Sequence, residues 1–189
     1  MRQAHQLGLD VPDWLVTNDP ESALAFAERH EGPAAGVVIK TLHAGRVDVR
    51  RTLYTTRLVD PELLRNLGPE PYLLQAFIDK QFDVRVVIIG TEVYATAIAS
   101  QVDSRSEVDV RAGDIRALSH RRFALPGETA ERLVHLIQDL GLEFATADLV
   151  VDHDNRPWFL EINPNGQWGW LQELTGAPLA ERLVQRLSG

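Results

Sequence analysis

Two carboxylates and an amide near the end of the chain carry the clearest chemistry: Asp148, Glu161 and Asn163, within ADLVVDHDNRPWFLEINPNGQW. Two apolar runs, 145–151 and 156–162, flank a short polar stretch and read as a β-hairpin. With Asp154-Asn155 as the turn pair, His153 faces Arg156, and pairing backwards sets Asp148 directly opposite Glu161. A four-residue loop over 153–156 leads to the same register. Alternation then assigns Ala147, Leu149, Val151, Trp158, Leu160 and Ile162 to an apolar core face, and Asp148, Glu161 and Asn163 to the opposite one. Like charges opposed on a half-buried sheet repel. A divalent cation relieves that repulsion, and two anionic groups plus an amide, with no His or Cys close to them, suit a hard ion such as Mg2+ or Mn2+. The other reading is a solvated acidic face neutralised by nearby arginines. The Asn-Pro-Asn-Gly cluster that follows the strand favours the metal.

The cations are more ambiguous. Only Lys40 and Lys80 among the 19 basic residues are lysines. Lys40 ends the apolar, β-branched run Gly36-Val37-Val38-Ile39, where a compact ammonium could meet a phosphate oxygen or simply reach solvent. Asp83 and Arg85 stand two apart on one strand and share a face, as a site pair or as a surface ion pair of little worth. Arg111 lies in a polar stretch and is equally open. Six scattered histidines offer no ligand spacing and no Ser–His–acid arrangement, and neither a Walker pattern nor a dinucleotide glycine fingerprint is present.

These residues need elements to position them. The opening segment reads as a helix tail ending at Gly8, then an extended stretch set by Pro12. Asp19-Pro20 and Asp60-Pro61 are N-cap and first-turn pairs of two helices, the second closing at Gly68. Residues 72–78 form a strand, and 84–89 with 93–98 a hairpin around Gly90-Thr91. The stretch 101–122 is polar and lacks apolar periodicity. Ala130, Leu133, Val134, Ile137 and Leu140 recur at helical spacing before Gly141, and Leu179, Leu183 and Leu187 mark a closing amphipathic helix. Hairpins mixed with helices argue for an α+β fold rather than a doubly wound parallel sheet.

Composition bounds the function. The chain has 189 residues and a formal net charge of −8, which argues against duplex nucleic acid and anionic membrane as main partners. No apolar stretch approaches a membrane span, and no signal-peptide pattern opens the chain. The absence of cysteine excludes a disulfide scaffold and a thiol nucleophile, and fits a cytoplasmic location. The arginines at 46, 50, 51 and 57 could still form a local cationic patch for ATP or for an acidic peptide.

In order along the chain, LGLDVP, VVIK, LLQAFIDKQFDVRVVIIG, VDVR and ADLVV…FLEINPNGQWGW resemble the ATP-grasp superfamily over nearly the whole length. The final motif is the most specific. Within that superfamily QAFIDKQFDVRVVIIG, Ser100-Gln101 and EINPNGQWGW are most similar to graspetide (microviridin-type) peptide maturases, relatives of the ribosomal-protein glutamate ligase. The resemblance implies two lobes with antiparallel sheets that sandwich ATP, 1–74 as the N-terminal lobe and 75–189 as the C-terminal lobe with the metal site. It implies a ligase that joins a carboxylate to an amine or hydroxyl through an acyl phosphate, here between side chains of a precursor peptide. By the same resemblance Lys40 holds the α/β-phosphates, Gln75, Ala76, Phe77 and Ile78 form the hinge that reads adenine, and Asp83 lies near the ribose. Arg85 and Arg111 face the γ-phosphate and acyl phosphate, and Asp148, Glu161 and Asn163 hold Mg2+ or Mn2+.

The chain departs from the family pattern at its start and after Lys40. Family members usually carry a preceding α/β domain and a second phosphate-contacting lysine ahead of the LGL-x-x-P segment. Here Met1 falls inside that helix, and the loop after Lys40 has Gly45 alone. The expectation is an ATP-binding core without its front end: a fragment, a shortened gene product, or a protein whose missing surface comes from a partner or from self-association. Two further readings follow: a nucleotide-binding module with little or no ligase activity, or a ligase that adds amino acids to a protein tail.

Overall fold

A computed structural model describes residues 1–32, 36–41, 46–48, 51–52 and 55–188, with backbone alone at 46–48 and 51–52. The arginine-rich stretch falls largely elsewhere: Gly45 and Arg50 lie outside the described residues, as do the side chains of Arg46 and Arg51. In chain order the elements are α1 (Arg2–Gln6), β1 (Trp14–Thr17), α2 (Pro20–Arg29), β2 (Val37–Thr41), β3 (Arg46–Asp48), β4 (Arg51–Thr52), β5 (Thr56–Arg57), β6 (Tyr72–Ala76), β7 (Lys80–Ile89), β8 (Glu92–Ile98), β9 (His120–Arg122), α3 (Gly127–Asp139), β10 (Phe144–Asp152), β11 (Pro157–Asn163), α4 (Gly169–Thr175) and α5 (Leu179–Ser188). Every described strand pairing is antiparallel, as an α+β fold requires. Among the described residues no helix is long and apolar enough to cross a membrane.

The chain divides into two compact units, Met1–Val11 with Lys80–Val102 and Asp114–Gly189, and Pro12–Asp79 with Asp103–Gly113. Both are discontinuous, where the sequence reading drew one cut between 74 and 75. The first unit is built on a sheet of order β11-β10-β7-β8-β9. Alternation along β7 and β10 turns Val84, Val86, Ile88, Ala147, Leu149 and Val151 to one face, where Leu133, Leu136 and Ile137 of α3 cover them. Burial of side chains of this size stabilises by roughly 1.5–3 kcal/mol each. Gly90, at φ +58°, closes the β7–β8 turn in a conformation that suits glycine. On the opposite face α4 and α5 cover only one end, through Leu171 and Leu179 against Val87 and Ile89. Leu187, expected on the apolar stripe of α5, is exposed. Further along, that face carries Asp83, Arg85, Asp148 and Thr96 beside the buried Val150 and Ile98.

The second unit holds a sheet of order β1-β6-β2-β5 and the separate β3–β4 pair. Asp19 caps α2 by accepting the Ser22 N–H at 2.9 Å, and Asp60 caps a 3-10 helix over Pro61–Asn66. Phe26 and Leu64 from these two elements pack with Val37 and Leu74 of the sheet. The extended stretch after Pro12 contains β1. Strand β2 runs on to Thr41, so Lys40 lies within the strand rather than at its end.

The C-terminal hairpin corrects one expectation and keeps another. Asn155 sits at φ +62°, its N–H donates to the Asp152 carbonyl, and the Asp152 N–H donates to the Arg156 carbonyl. The loop is therefore His153–Asn155, and Arg156 faces Asp152 rather than His153. Leu149 consequently pairs with Phe159 and Val150 with Trp158. Phe159 takes the core place expected for Trp158 and Leu160, while the Trp158 indole N–H donates to Asp152 at 2.8 Å. A bulge at Leu160 then shifts the register back, so Asp148 does pair with Glu161 and Thr146 with Asn163. Two one-residue offsets cancel before the carboxylates are reached.

Candidate functional site

In the first unit, the register aligns Glu161 (β11), Asp148 (β10), Arg85 (β7), Thr96 (β8) and Arg122 (β9) in one cross-strand row. Cross-strand neighbours on one face stand about 4.5–5.5 Å apart at Cβ, so charges in such a row interact. Arg85 Nε lies 2.7 Å from Asp148 Oδ1, and Arg85 Nη1 donates to Thr146 Oγ1 at 3.2 Å. Asp148 thus meets a cation on its β7 side and a second carboxylate on its β11 side. Among the described residues Glu161, half-buried, has no hydrogen-bond or ion-pair partner. The Asn163 Oδ1 accepts the Asn165 N–H at 2.8 Å and keeps a second lone pair. The donor set fits a hard divalent ion: two carboxylates and an amide, one carboxylate lacking a protein cation. Among the described residues no group of three or more His, Cys, Asp or Glu side chains could hold a metal ion.

The turn after β11 presses on the same row. Gly166 N–H donates to the Asn163 carbonyl at 3.3 Å, and a Cβ at 166 would stand 1.7 Å from Thr146 Oγ1. Thr146 is fully buried. Only glycine permits this approach. Two steps along β7, Asp83 meets Lys80, whose Nζ is 2.7 Å away and whose side chain is 5% exposed. A register shift at Gln81 turns Lys80 to the same side, and Gln81 donates to the Asp152 carbonyl at 2.7 Å. Asp83 is thus held by a buried lysine that the sequence reading left without a role.

In the second unit, the register places Lys40 on one face with Gln75, Val38 and Leu73, opposite the face covered by α2. The Gln75 side chain is buried, and its Nε2 has no hydrogen-bond partner among the described residues. The Ala76 N–H donates to Asp13 O at 2.8 Å and the Phe77 N–H to Gly36 O at 2.9 Å. Arg57, one of the arginines of the expected patch, stacks over the Phe77 ring with its guanidinium carbon 4.0 Å from the centroid.

The polar stretch 101–122 has a local repeat. Asp-x-Arg occurs at 103–105, 109–111 and 114–116, and each aspartate accepts the N–H of its arginine. Only Asp109 is buried: its side chain is 5% exposed, and it also accepts the Thr55 N–H at 2.8 Å. Arg111 forks onto it, Nε at 2.9 Å and Nη2 at 2.7 Å. Burial alone would raise the Asp109 carboxyl, but the Arg111 guanidinium and the Thr55 and Arg111 N–H groups outweigh it and hold it at about 2. The folded value lies below the unfolded one, so this stabilisation is complete above pH about 4 and is lost as pH falls toward 2. With Arg111 half exposed the contribution is about 1–2 kcal/mol. Asp109→Asn is expected to remove that part of the acid limb, read as the pH dependence of urea unfolding; an unchanged limb would refute the coupling.

Residues 2–187 match the RimK-like ATP-grasp domain family. The chain belongs to that family. This ATP-grasp domain is also similar to solved structures. A Chryseobacterium gregarium RiPP-associated ATP-grasp ligase, in complex with ADP and a leader and core peptide, is 25% identical with a TM-score of 0.88, over 98% of this chain and 56% of its own. The macrocyclase MdnC from Microcystis aeruginosa MRC, bound with precursor peptide MdnA, is 30% identical with a TM-score of 0.83, over 99% and 58%. The macrocyclase MdnB from the same source is 26% identical with a TM-score of 0.70, over 98% and 56%. The ATP-grasp domain thus spans a little over half the length of these relatives. No curated protein sequence matches it.

Among the expected residues, Asp148, Glu161, Asn163 and Arg85 come together on one sheet face, with Asp83 further along it. Lys40 and Gln75 share a face of the other sheet, and Arg111 stands on the Asp109 anchor. The sequence reading missed Asp109, Thr146, Gly166 and Lys80. The Asp-x-Arg repeat and the Asn165-Gly166 pair were visible signals for two of them; nothing local singled out Thr146.

Proposed function

We propose that this ATP-grasp domain is the nucleotide-binding part of a ligase that activates a carboxylate with ATP and joins it to an amine or hydroxyl of a ribosomally made precursor peptide. The observation that carries the reading is Glu161, a carboxylate facing Asp148 with no cation partner among the described residues. The peptide as substrate class is supported by the 25% and 30% identical relatives, whose structures contain precursor peptides.

In this reading Asp148, Glu161 and Asn163 hold Mg2+, which when bound offsets charge on the polyphosphate. Lys40 contacts the α/β-phosphates as a point charge. Gln75, Ala76, Phe77 and Ile78 line the adenine. With the Ala76 and Phe77 N–H groups engaged by Asp13 and Gly36, the Ile78 N–H and the Gln75 amide become the donors for the base. Asp83, fixed by Lys80, meets the ribose. Arg85 and Arg111 meet the γ-phosphate and the acyl phosphate.

The substrate carboxylate oxygen attacks the γ-phosphorus, the bond to the bridging oxygen breaks and ADP leaves. The amine or hydroxyl then attacks the acyl carbon, inorganic phosphate leaves and the proton passes to solvent. No protein nucleophile is required, so the chain's task is positioning and charge neutralisation. Each preorganised donor of this kind is worth about 3–4 kcal/mol of barrier. Calorimetry with ATP and Mg2+, followed by ADP release with a Thr-, Asp- and Glu-rich peptide, tests the reading. Absence of ATP binding sinks it. Binding without peptide-stimulated ADP release supports a nucleotide-binding module instead.

A further inference from the structure

We propose that Asp109 is the positioning residue for Arg111, a fixed buried carboxylate that presents the guanidinium to the terminal phosphates already oriented. The inference rests on the reading of Arg111 as a phosphate contact. Three Asp-x-Arg units share the same local turn, in which the aspartate oxygen accepts the arginine N–H. Arg105 also forks onto Asp103, but that aspartate is more exposed, and Arg116 turns away to Glu173 at 2.9 Å. Asp109 differs in two respects that its local sequence does not explain.

First, it is buried. Secondly, it is tied to the Thr55 N–H, 54 residues earlier in the chain. A carboxylate anchored at both ends cannot follow its arginine, so the arginine conforms to it. The anchored acid lies inside and the cation outside, with the Arg111 side chain 52% exposed. Asp109 takes the Nε–H and one Nη2–H, a two-point fork on one edge of the guanidinium. An arginine ordered before the nucleotide arrives loses less side-chain freedom on binding, and the fork fixes its plane.

Asparagine separates positioning from folding. Its one carbonyl oxygen still accepts the Arg111 N–H and caps the turn about as well as aspartate, but its NH2 cannot accept the Thr55 N–H that the second carboxylate oxygen takes, and it cannot hold a guanidinium by charge. The test is calorimetry of the full chain with Mg2+ and either ATP or AMP. Asp109→Asn is expected to weaken ATP about tenfold and leave AMP unchanged, while Asp103→Asn changes neither. Arg111→Ala should match Asp109→Asn, and the double variant should be no worse than either. Arg111→Lys, which keeps the charge and loses the fork, should also weaken ATP.

An ATP cost for Arg111→Ala without one for Asp109→Asn overturns the positioning role and leaves the phosphate role standing. So do additive costs, full ATP affinity in Arg111→Lys, or equal weakening of ATP and AMP by Asp109→Asn. Unchanged ATP affinity in Arg111→Ala removes the phosphate role itself, and the positioning role with it.

Discussion

Replacing Glu161 by alanine is expected to abolish Mg2+-dependent ATP turnover while leaving the fold intact. The two halves of this expectation have one cause. Asp148 already has Arg85 at 2.7 Å, so its charge is compensated within the protein. Glu161 faces the same carboxylate from β11 and has no cation among the described residues. Removing it deletes half of the anionic charge offered to a divalent ion and also removes a like-charge repulsion from the sheet. A loss of at least about 100-fold in turnover is the scale for losing a metal-ligand contact. The thermal midpoint should stay the same or rise slightly. A titration with Mn2+ followed by electron paramagnetic resonance reads ion binding apart from activity, and Glu161→Ala should abolish the bound signal. If the variant bound Mn2+ and turned over ATP like the parent, Glu161 would not be a metal ligand.

The second large effect is expected at Gly166. A methyl group there would stand 1.7 Å from Thr146 Oγ1 and 2.7 Å from both Thr146 Cβ and Cγ2. Thr146 is buried in the middle of β10, so neither side can move far. Overpacking of this kind costs about 2–3 kcal/mol, which lowers the melting temperature of a chain this size by roughly 5–10 °C. The displacement also reaches the site, because Thr146 Oγ1 accepts from Arg85, whose Nε holds Asp148. Gly166→Ala should therefore lose stability and turnover together. Adding Thr146→Ala should recover part of the stability, since it removes the two atoms that can be removed, but not the full turnover, since Arg85 then keeps Asp148 but loses the Thr146 hydroxyl that fixes its second nitrogen. A Gly166→Ala protein that melts with the parent would show that the turn does not rest on Thr146.

The antiparallel α+β architecture, the helix caps at Asp19 and Asp60, the Gly90-Thr91 turn and the packing helix α3 were all legible in the sequence. Each rests on short-range chemistry: capping oxygens, positive-φ glycine, and apolar residues at periods of 2 or 3.6. The opposition of Asp148 and Glu161 was legible too, but only because two unread offsets cancelled. Alternation reports which face a residue occupies along an unbroken strand. It does not report the loop at His153–Asn155 or the bulge at Leu160, which depend on how the whole hairpin seats against β7 and the core. Hence Phe159, not Trp158, is the core residue.

By itself the sequence determined the family motifs, the presence of Asp148, Glu161 and Asn163 as candidate oxygen donors, and the local Asp-x-Arg turns, since all of these are set by residue type and near spacing. Tertiary structure alone decided which of three equivalent aspartates is buried, which glycine is sterically required, and that Lys80 holds Asp83. Burial and close approach are properties of segments distant in sequence: Thr55 against Asp109, Gly166 against Thr146, and the Gln81 shift that turns Lys80 onto the face of Asp83. No local pattern encodes those distances, because they arise only when the sheets and the turns pack.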